Sequence, residues 1–273
     1  MIQANPFGYG KAIVSFAIFL IFFILISIFL QALFYLNYIN AEFLKLLLSL
    51  TFLFPSGIVL IFFRTKIPFK LKENFFIYIL LLPLALSIQV LGTALMILFL
   101  DFFPEKYISY YEELQNFLMP KSNLDFLFTI ISIGIVGPFC EELIFRGIIL
   151  SKLIENKKNL TISNIFQSIL FAVAHMNPVQ FFYAIPIGIF FGWIYIKSKN
   201  LLLPILIHIF TNVSAILLLT IPLDNSLWKT LQKFGSETTN FQELPKEPIY
   251  ISFIIVFLFY YLIKKNYKYF KYS

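Results

Sequence analysis

Charge is what this sequence has little of. Only 13% of its 273 residues are Asp, Glu, Lys or Arg, against about 25% in a soluble globular domain. That scarcity excludes an ordinary water-soluble enzyme and a charged, disordered chain. Cysteine is almost absent. Cys140 is the single one, so no disulfide scaffold can form within the chain. Histidine occurs twice, as His175 and His208. No repeat of fixed period and no Gly-, Ser- or Pro-rich linker interrupts the chain, so residues 1–273 read as a single transmembrane domain. What fills the space is apolar: 60% of residues are hydrophobic, with 36 Phe. Lipid hides that much apolar surface; a core built from this chain alone would not. The net charge of +7 does not indicate nucleic acid. The basic residues are scattered at the ends of apolar runs rather than gathered on one face.

A helix needs about 20 apolar residues to cross the hydrocarbon. Eight stretches qualify as candidate spans: residues 12–36, 43–63, 75–100, 125–150, 162–177, 179–196, 201–220 and 249–263. The first is too long for the core of a cleavable signal and lacks a small-x-small cleavage pattern, so it reads as a retained span. The fifth and sixth are separated by Met176-Asn177-Pro178 and form a tight helical hairpin. The eighth is the shortest. The fold class is therefore all-α, a polytopic integral membrane protein of about eight transmembrane helices.

Cationic residues set the orientation. With the N-terminus in the cytoplasm, the inner segments carry Lys11, then Arg64, Lys66, Lys70 and Lys72, then Lys152, Lys157 and Lys158, then Lys197 and Lys199, then Lys264, Lys265, Lys268 and Lys271. The outer segments carry Lys106, Lys121, Lys229, Lys233 and Lys246. The alternation holds at every loop, so both termini are expected in the cytoplasm. Usage rich in Phe, Ile, Lys and Asn points to a low-GC genome, and the expected location is a bacterial cytoplasmic membrane. In the outer segment 101–124, Tyr107, Ile108, Tyr111, Leu114, Phe117 and Leu118 recur at helical spacing. This reads as a short amphipathic helix lying in the membrane interface. Trp193 and Tyr195 read as interface anchors.

The informative residues are those that lipid should forbid. A charge at the centre of a membrane helix costs about 2.5–3.5 kcal/mol on insertion scales. Glu141 and Glu142 nevertheless lie inside the fourth span, and both histidines lie in apolar helices. Glu142 and Arg146 are four apart, share a helix face and can pair. Glu141 is turned about 100° away from Glu142 and points elsewhere. His208 and Asn212, again four apart, present two hydrogen-bonding groups along one face. Pro138 cannot donate to the carbonyl of Gly134 and should kink the helix just before the carboxylates. Gly134, Gly137, Gly147, and Gly188 with Gly192, permit close approach of neighbouring helices.

Such a set can hydrolyse a peptide bond. A carboxylate can serve as general base toward water and then as acid toward the leaving amine. One imidazole can orient the water, while another imidazole and an amide stabilise the oxyanion. The same residues could instead be metal ligands, with two imidazoles and a carboxylate leaving a fourth position for water. No HExxH is present. Non-enzymatic uses also exist: a proton-coupled transporter relaying through the same Glu and His, or a protein that binds a toxin and confers immunity.

The run EExxxR at Glu141–Arg146, followed by FxxxH ending at His175 and HxxxN at His208–Asn212, resembles the CPBP family of intramembrane proteases. That family unites the type II CAAX prenyl endopeptidases with the Abi proteins of bacteriocin processing and immunity. The resemblance covers approximately residues 125–218, together with the eight-span layout. It implies that Glu141 is the catalytic glutamate, supported by Glu142 and Arg146. It implies that His175 helps activate the water, and that His208 and Asn212 serve the oxyanion. It further implies a membrane-embedded or lipidated peptide substrate. A divalent metal such as zinc and a metal-free glutamate mechanism both remain open.

One depth conflicts with a shared site. His175 lies 17 residues beyond Lys158, about 25 Å at helical rise. It would sit too far outward unless the fifth helix starts late, with a cap at Thr161 or Ser163.

Overall fold

The computed structural model describes residues 8–63, 69, 75–156, 158–221, 225–232 and 241–266. Among the described residues there are helices and no strands. Helix α1 spans Tyr9–Tyr35, α2 Ala41–Phe63, α3 Ile77–Phe102 and α4 Pro104–Leu118. Helix α5 runs through Asn123–Glu155, α6 through Leu160–Ala174, α7 through Pro178–Ser198 and α8 through Leu202–Thr220. A short α9, Ser226–Gln232, and a 3-10 turn, Phe241–Glu243, precede α10, Lys246–Asn266.

Seven of these helices are long and apolar enough to cross a membrane. The chain is a polytopic, all-α integral membrane protein. The expected fifth span is the exception in length. At 15 residues, α6 extends about 22 Å, short of a hydrocarbon core of about 30 Å. The expected short eighth span is a full 21-residue helix, because Lys246 and Glu247 begin it and Lys264 and Lys265 fall in its last turn. Several cations counted above lie outside the described residues: Arg64, Lys66, Lys70, Lys72, Lys157, Lys233, Lys268 and Lys271, together with the side chain of Lys106.

Asn or Ser side chains accept backbone N–H groups at the starts of α2, α5, α6, α7 and α8. Asn40 accepts from Phe43 N, Ser122 from Asp125 N, Asn159 from Ile162 N, Asn177 from Val179 N and Asn200 from Leu202 N. Each satisfies a backbone donor that would otherwise be orphaned at a helix start. The cap of α6 is thus Asn159, not Thr161 or Ser163.

Helix α5 is the centre of the bundle. α1 and α2 pack on one side of it, through Phe16, Phe19 and Val59 against Ile144, Phe145 and Ile148. α8 packs on another side, through Leu201 and Ile205 against Leu143 and Leu150. α3, α7, α8 and α10 share a second cluster built on Leu84, Phe191, Ile207 and Phe259. Outward-facing residues such as Leu25 and Phe29 of α1 and Ile254 and Phe257 of α10 stay exposed and apolar, as a lipid-facing surface requires. Tyr195 does not anchor an interface. It is buried against Leu143, Leu150 and Leu201. Trp193 stacks on Tyr260 at 4.7 Å between ring centroids.

Glycines set the closest approaches. A Cβ on Gly134 would stand 3.0 Å from Val213 of α8, and one on Gly147 would stand 3.1 Å from Leu201. Gly192 is tighter still: a Cβ there would overlap the amide of Asn164. These contacts seat α8 on α5 and α6 on α7.

Candidate active site

Helix α5 is not uniformly α-helical. Ile130–Val136 and Leu143–Leu150 are π-helical, and they flank the α segment Gly137–Glu142 that carries both carboxylates. Wide turns of this kind recur at functional sites. Here Pro138 supplies a cause. In the wide register Gly137 N–H reaches Ser132 O. The next donor would be Pro138, which has no N–H, so the carbonyl of Ile133 loses its helical partner. Asn212 of α8 fills the gap, with its Nδ2 donating to Ile133 O at 3.1 Å. The local effect of Pro138 is therefore a wide turn with a borrowed donor.

The acid pair divides as its spacing dictates. Glu142 and Arg146 are fully buried and paired at 2.7 Å. Arg146 also donates to Gly188 O of α7 at 3.0 Å. Its guanidinium lies over the Phe171 ring, 4.6 Å from the centroid. Glu142 Oε1 accepts a second hydrogen bond, from His208 Nδ1 at 2.9 Å. A carboxylate oxygen that already accepts from arginine can only accept again, so Nδ1 carries the proton. His208 Nε2 then faces Glu141, 3.7 Å from its Oε2. Glu141 keeps partial exposure, with 17% of its side-chain surface accessible, where Glu142 has none.

His175 occupies the turn after α6. The helix ends at Ala174, Met176 takes a φ of 49°, and Asn177 starts α7. The start at Leu160 shortens the expected rise by only about 3 Å, yet His175 shares a cavity with Glu141 and His208. His175 Nδ1 lies 2.9 Å from Phe171 O. A carbonyl only accepts, so Nδ1 donates and Nε2 is left as an acceptor.

Glu141, His175, His208 and Asn212 all line one cavity of about 390 Å³. α4 closes part of it with Leu114, Gln115 and Leu118. The amphipathic helix packs on the protein along this edge. Its Tyr111 is buried with Met96, Leu100 and Val179. Burial raises the Tyr111 phenol above its ordinary value, and a hydrogen bond with Gln115 offsets this in part. Among the described residues no three His, Cys, Asp or Glu side chains are grouped to hold a metal ion. Two donors converge, Glu141 and His208, which is too few for a closed or catalytic zinc site.

Residues 123–214 match the family described as type II CAAX prenyl endopeptidase Rce1-like. That stretch of the chain is similar to the Rce1-like family. Its bounds run from the start of α5 into α8 and take in every site residue named above. Two curated proteins are also similar. YdiL of Bacillus subtilis (strain 168), named as a membrane peptidase, is 32% identical over 98 residues. The membrane-embedded CAAX protease MroQ of Staphylococcus aureus (strain USA300) is 33% identical over 89 residues. The matched stretches cover 36% and 29% of this chain, and 40% and 34% of those relatives. No solved structure matches.

Sequence reasoning missed two parts of this site. Phe171 was visible as the aromatic of FxxxH but had no role. It packs edge-on to His175 and to His208, with ring centroids at 4.8 and 5.9 Å, while Arg146 lies over its face. Its four-residue spacing from His175 was the available signal. Phe191, 5.2 Å from His208 between centroids, carried no signal, since any apolar helix offers many such residues.

Proposed function

We propose that this chain is an intramembrane endopeptidase that hydrolyses a peptide bond with a water activated by Glu141. The observation that carries this reading is the arrangement of Glu141, His175, His208 and Asn212 around one cavity, with His208 Nε2 3.7 Å from Glu141. The similarity of residues 123–214 to the Rce1-like family and the names of the two relatives support it.

Glu141, partly exposed to the cavity, takes a proton from water, and the hydroxide adds to the scissile carbonyl. His175 shares the water through Nε2, because its Nδ1 is committed to Phe171 O. Asn212 uses one N–H on Ile133 O and offers the other to the oxyanion. His208, held in orientation by Glu142, joins it when Glu141 passes the proton taken from water to Nε2, 3.7 Å from Glu141 Oε2, and hands that proton back to Glu141 before the intermediate collapses. Collapse of the intermediate returns the proton from Glu141 to the leaving amine. No step is routed through a metal. We further propose that both termini are cytoplasmic and that the protein resides in a bacterial cytoplasmic membrane, following the cation distribution. The substrate is a membrane-embedded or lipidated peptide.

The test is a comparison of membrane-protein termini in a host lacking the gene. The wild-type chain and Glu141→Ala are expressed at matched levels, and new N- and C-termini are mapped by mass spectrometry. Termini that arise only with the wild type are expected. Identical termini with both forms, each accumulating in the membrane, would overturn the reading.

A further inference from the structure

Helix α6 carries a buried polar face apart from His175. Ile162, Ile165, Ile169 and Val173 are exposed along one side of the helix, as contact with lipid requires. Asn164, Gln167 and Ser168, three and four apart, are buried on another side. They meet α7 where Gly188 and Gly192 leave its backbone open. Asn164 Nδ2 donates to Ile189 O at 2.9 Å. Gln167 Nε2 reaches three acceptors: Asn164 Oδ1 at 2.9 Å, Ser168 Oγ at 2.7 Å and Gly188 O at 3.2 Å. Ser168 Oγ commits its own proton to Asn164 O at 2.7 Å. The amide is therefore held with its nitrogen on that side, because Oε1 in the same place would face only oxygens that accept.

Gly188 O joins this face to the buried acid pair. It accepts from Arg146 Nη2 at 3.0 Å as well as from Gln167. Arg146 Nη1 donates to Glu142 Oε1, which also accepts from His208 Nδ1. In a guanidinium the Nε–H leaves on the side of Nη2, so that of Arg146 faces the Gly188 side. Among the described residues it has no acceptor, and Gln167 Oε1 has no donor. Glu142 Oε2 is unpaired too, but its carboxylate meets the guanidinium at Nη1. An orphan donor and an orphan acceptor, each costly to bury, thus belong to one cluster around Gly188 O. Resting on the peptidase reading above for its effect on rate, we propose that Gln167 is a positioning residue for His208. It steadies the guanidinium of Arg146 from α6, through the shared carbonyl of Gly188 and with Oε1 as the acceptor available to the Nε–H. Arg146 in turn holds Glu142, and Glu142 holds the His208 ring.

The experiment uses the full chain in micelles, labelled with ¹⁵N-histidine and free of substrate. The two histidines give two sets of ring signals, which His175→Gln assigns. Ring-nitrogen shifts tell which nitrogen carries the proton. The wild type is expected to keep His208 protonated on Nδ1. Gln167→Met keeps length and bulk and removes the amide. It should admit the Nε2-protonated form of His208 and leave His175 unmoved. On a peptide spanning a bond mapped in the comparison of termini above, it should lower kcat about tenfold with KM unchanged, as a small misplacement of reacting groups does. Arg146→Lys, which lacks the Nε–H, should also lower kcat, and adding Gln167→Met to it should cost nothing more. Where Gln167→Met does not accumulate, Gln167→Glu takes its place: its carboxylate should draw Arg146 from Glu142 and move the His208 signal. An unmoved His208 signal, an equal shift of both rings, an unchanged kcat or losses that simply add would each overturn the inference and leave the peptidase reading intact. A wild type that cuts no such peptide would overturn the peptidase reading instead, and the ring signals would still decide the role of Gln167.

Discussion

Glu142 holds His208 by the inner edge of its ring, Oε1 to Nδ1 at 2.9 Å, while the same oxygen accepts from Arg146 at 2.7 Å. The two bonds fix which imidazole nitrogen faces the cavity. Neither Glu142 nor Arg146 has accessible side-chain surface. Removing one partner strands the other charge, which costs about 3–5 kcal/mol, whereas replacing both with apolar residues is close to neutral. Arg146→Ala should therefore unfold at much lower temperature in micelles. Glu142→Leu with Arg146→Met should recover stability but not cleavage, because His208 loses its anchor. Full activity in that double variant would show that the anchor is dispensable.

Pro138 and Asn212 are predicted to be coupled through the carbonyl of Ile133. Pro138→Ala restores an N–H that competes for this acceptor and frees the Asn212 amide. Folding should be kept, since a helix gains from losing an interior proline. Cleavage should fall about tenfold, less than the roughly 10²-fold to 10³-fold cost of losing an oxyanion donor outright. In a double-mutant cycle, Asn212→Ala should cost less in the Pro138→Ala background than alone. Strict additivity of the two losses would separate them.

Glu141→Gln keeps the shape of the side chain and removes its basicity. Because Glu141 is partly exposed and lies 3.7 Å from His208, no buried pair is broken. Cleavage should drop by about 10²-fold to 10⁴-fold with an unchanged melting temperature. A melting temperature that falls with the rate would mark Glu141 as a structural acid.

Gly192 faces Asn164, and Asn164 Nδ2 donates to Ile189 O at 2.9 Å. Gly192→Ala should cost about 1–3 kcal/mol through overpacking. Adding Asn164→Ala should return part of that stability by making room. Denaturation of the three forms in micelles checks it; a neutral Gly192→Ala would mean that α6 and α7 separate freely.

The sequence alone determined the solvent, the all-helical class and the polar cast. Hydropathy marks membrane spans because an unpaired backbone is costly in lipid, so long apolar runs leave little choice but helix. The four-residue spacing of Glu142 and Arg146 determined their pairing for the same local reason. Close packing at Gly134, Gly147, Gly188 and Gly192 was legible from the absence of a side chain. What happens between helices was not legible. The resemblance implied an oxyanion role for His208 and left its ring nitrogens unassigned; the tertiary structure decided that Glu142 holds Nδ1. Pro138 was expected to disturb the helix; that Asn212 of α8 lends a donor to Ile133 O beside it was decided by packing. The depth of His175 depended on where α6 begins and ends, which Asn159, Met176 and Asn177 decide together. The outer amphipathic helix could have lain in lipid; burial of Tyr111 against α3 and α7 seats it over the cavity. Contacts within one helix follow from its period, whereas contacts between helices depend on packing that no single segment encodes.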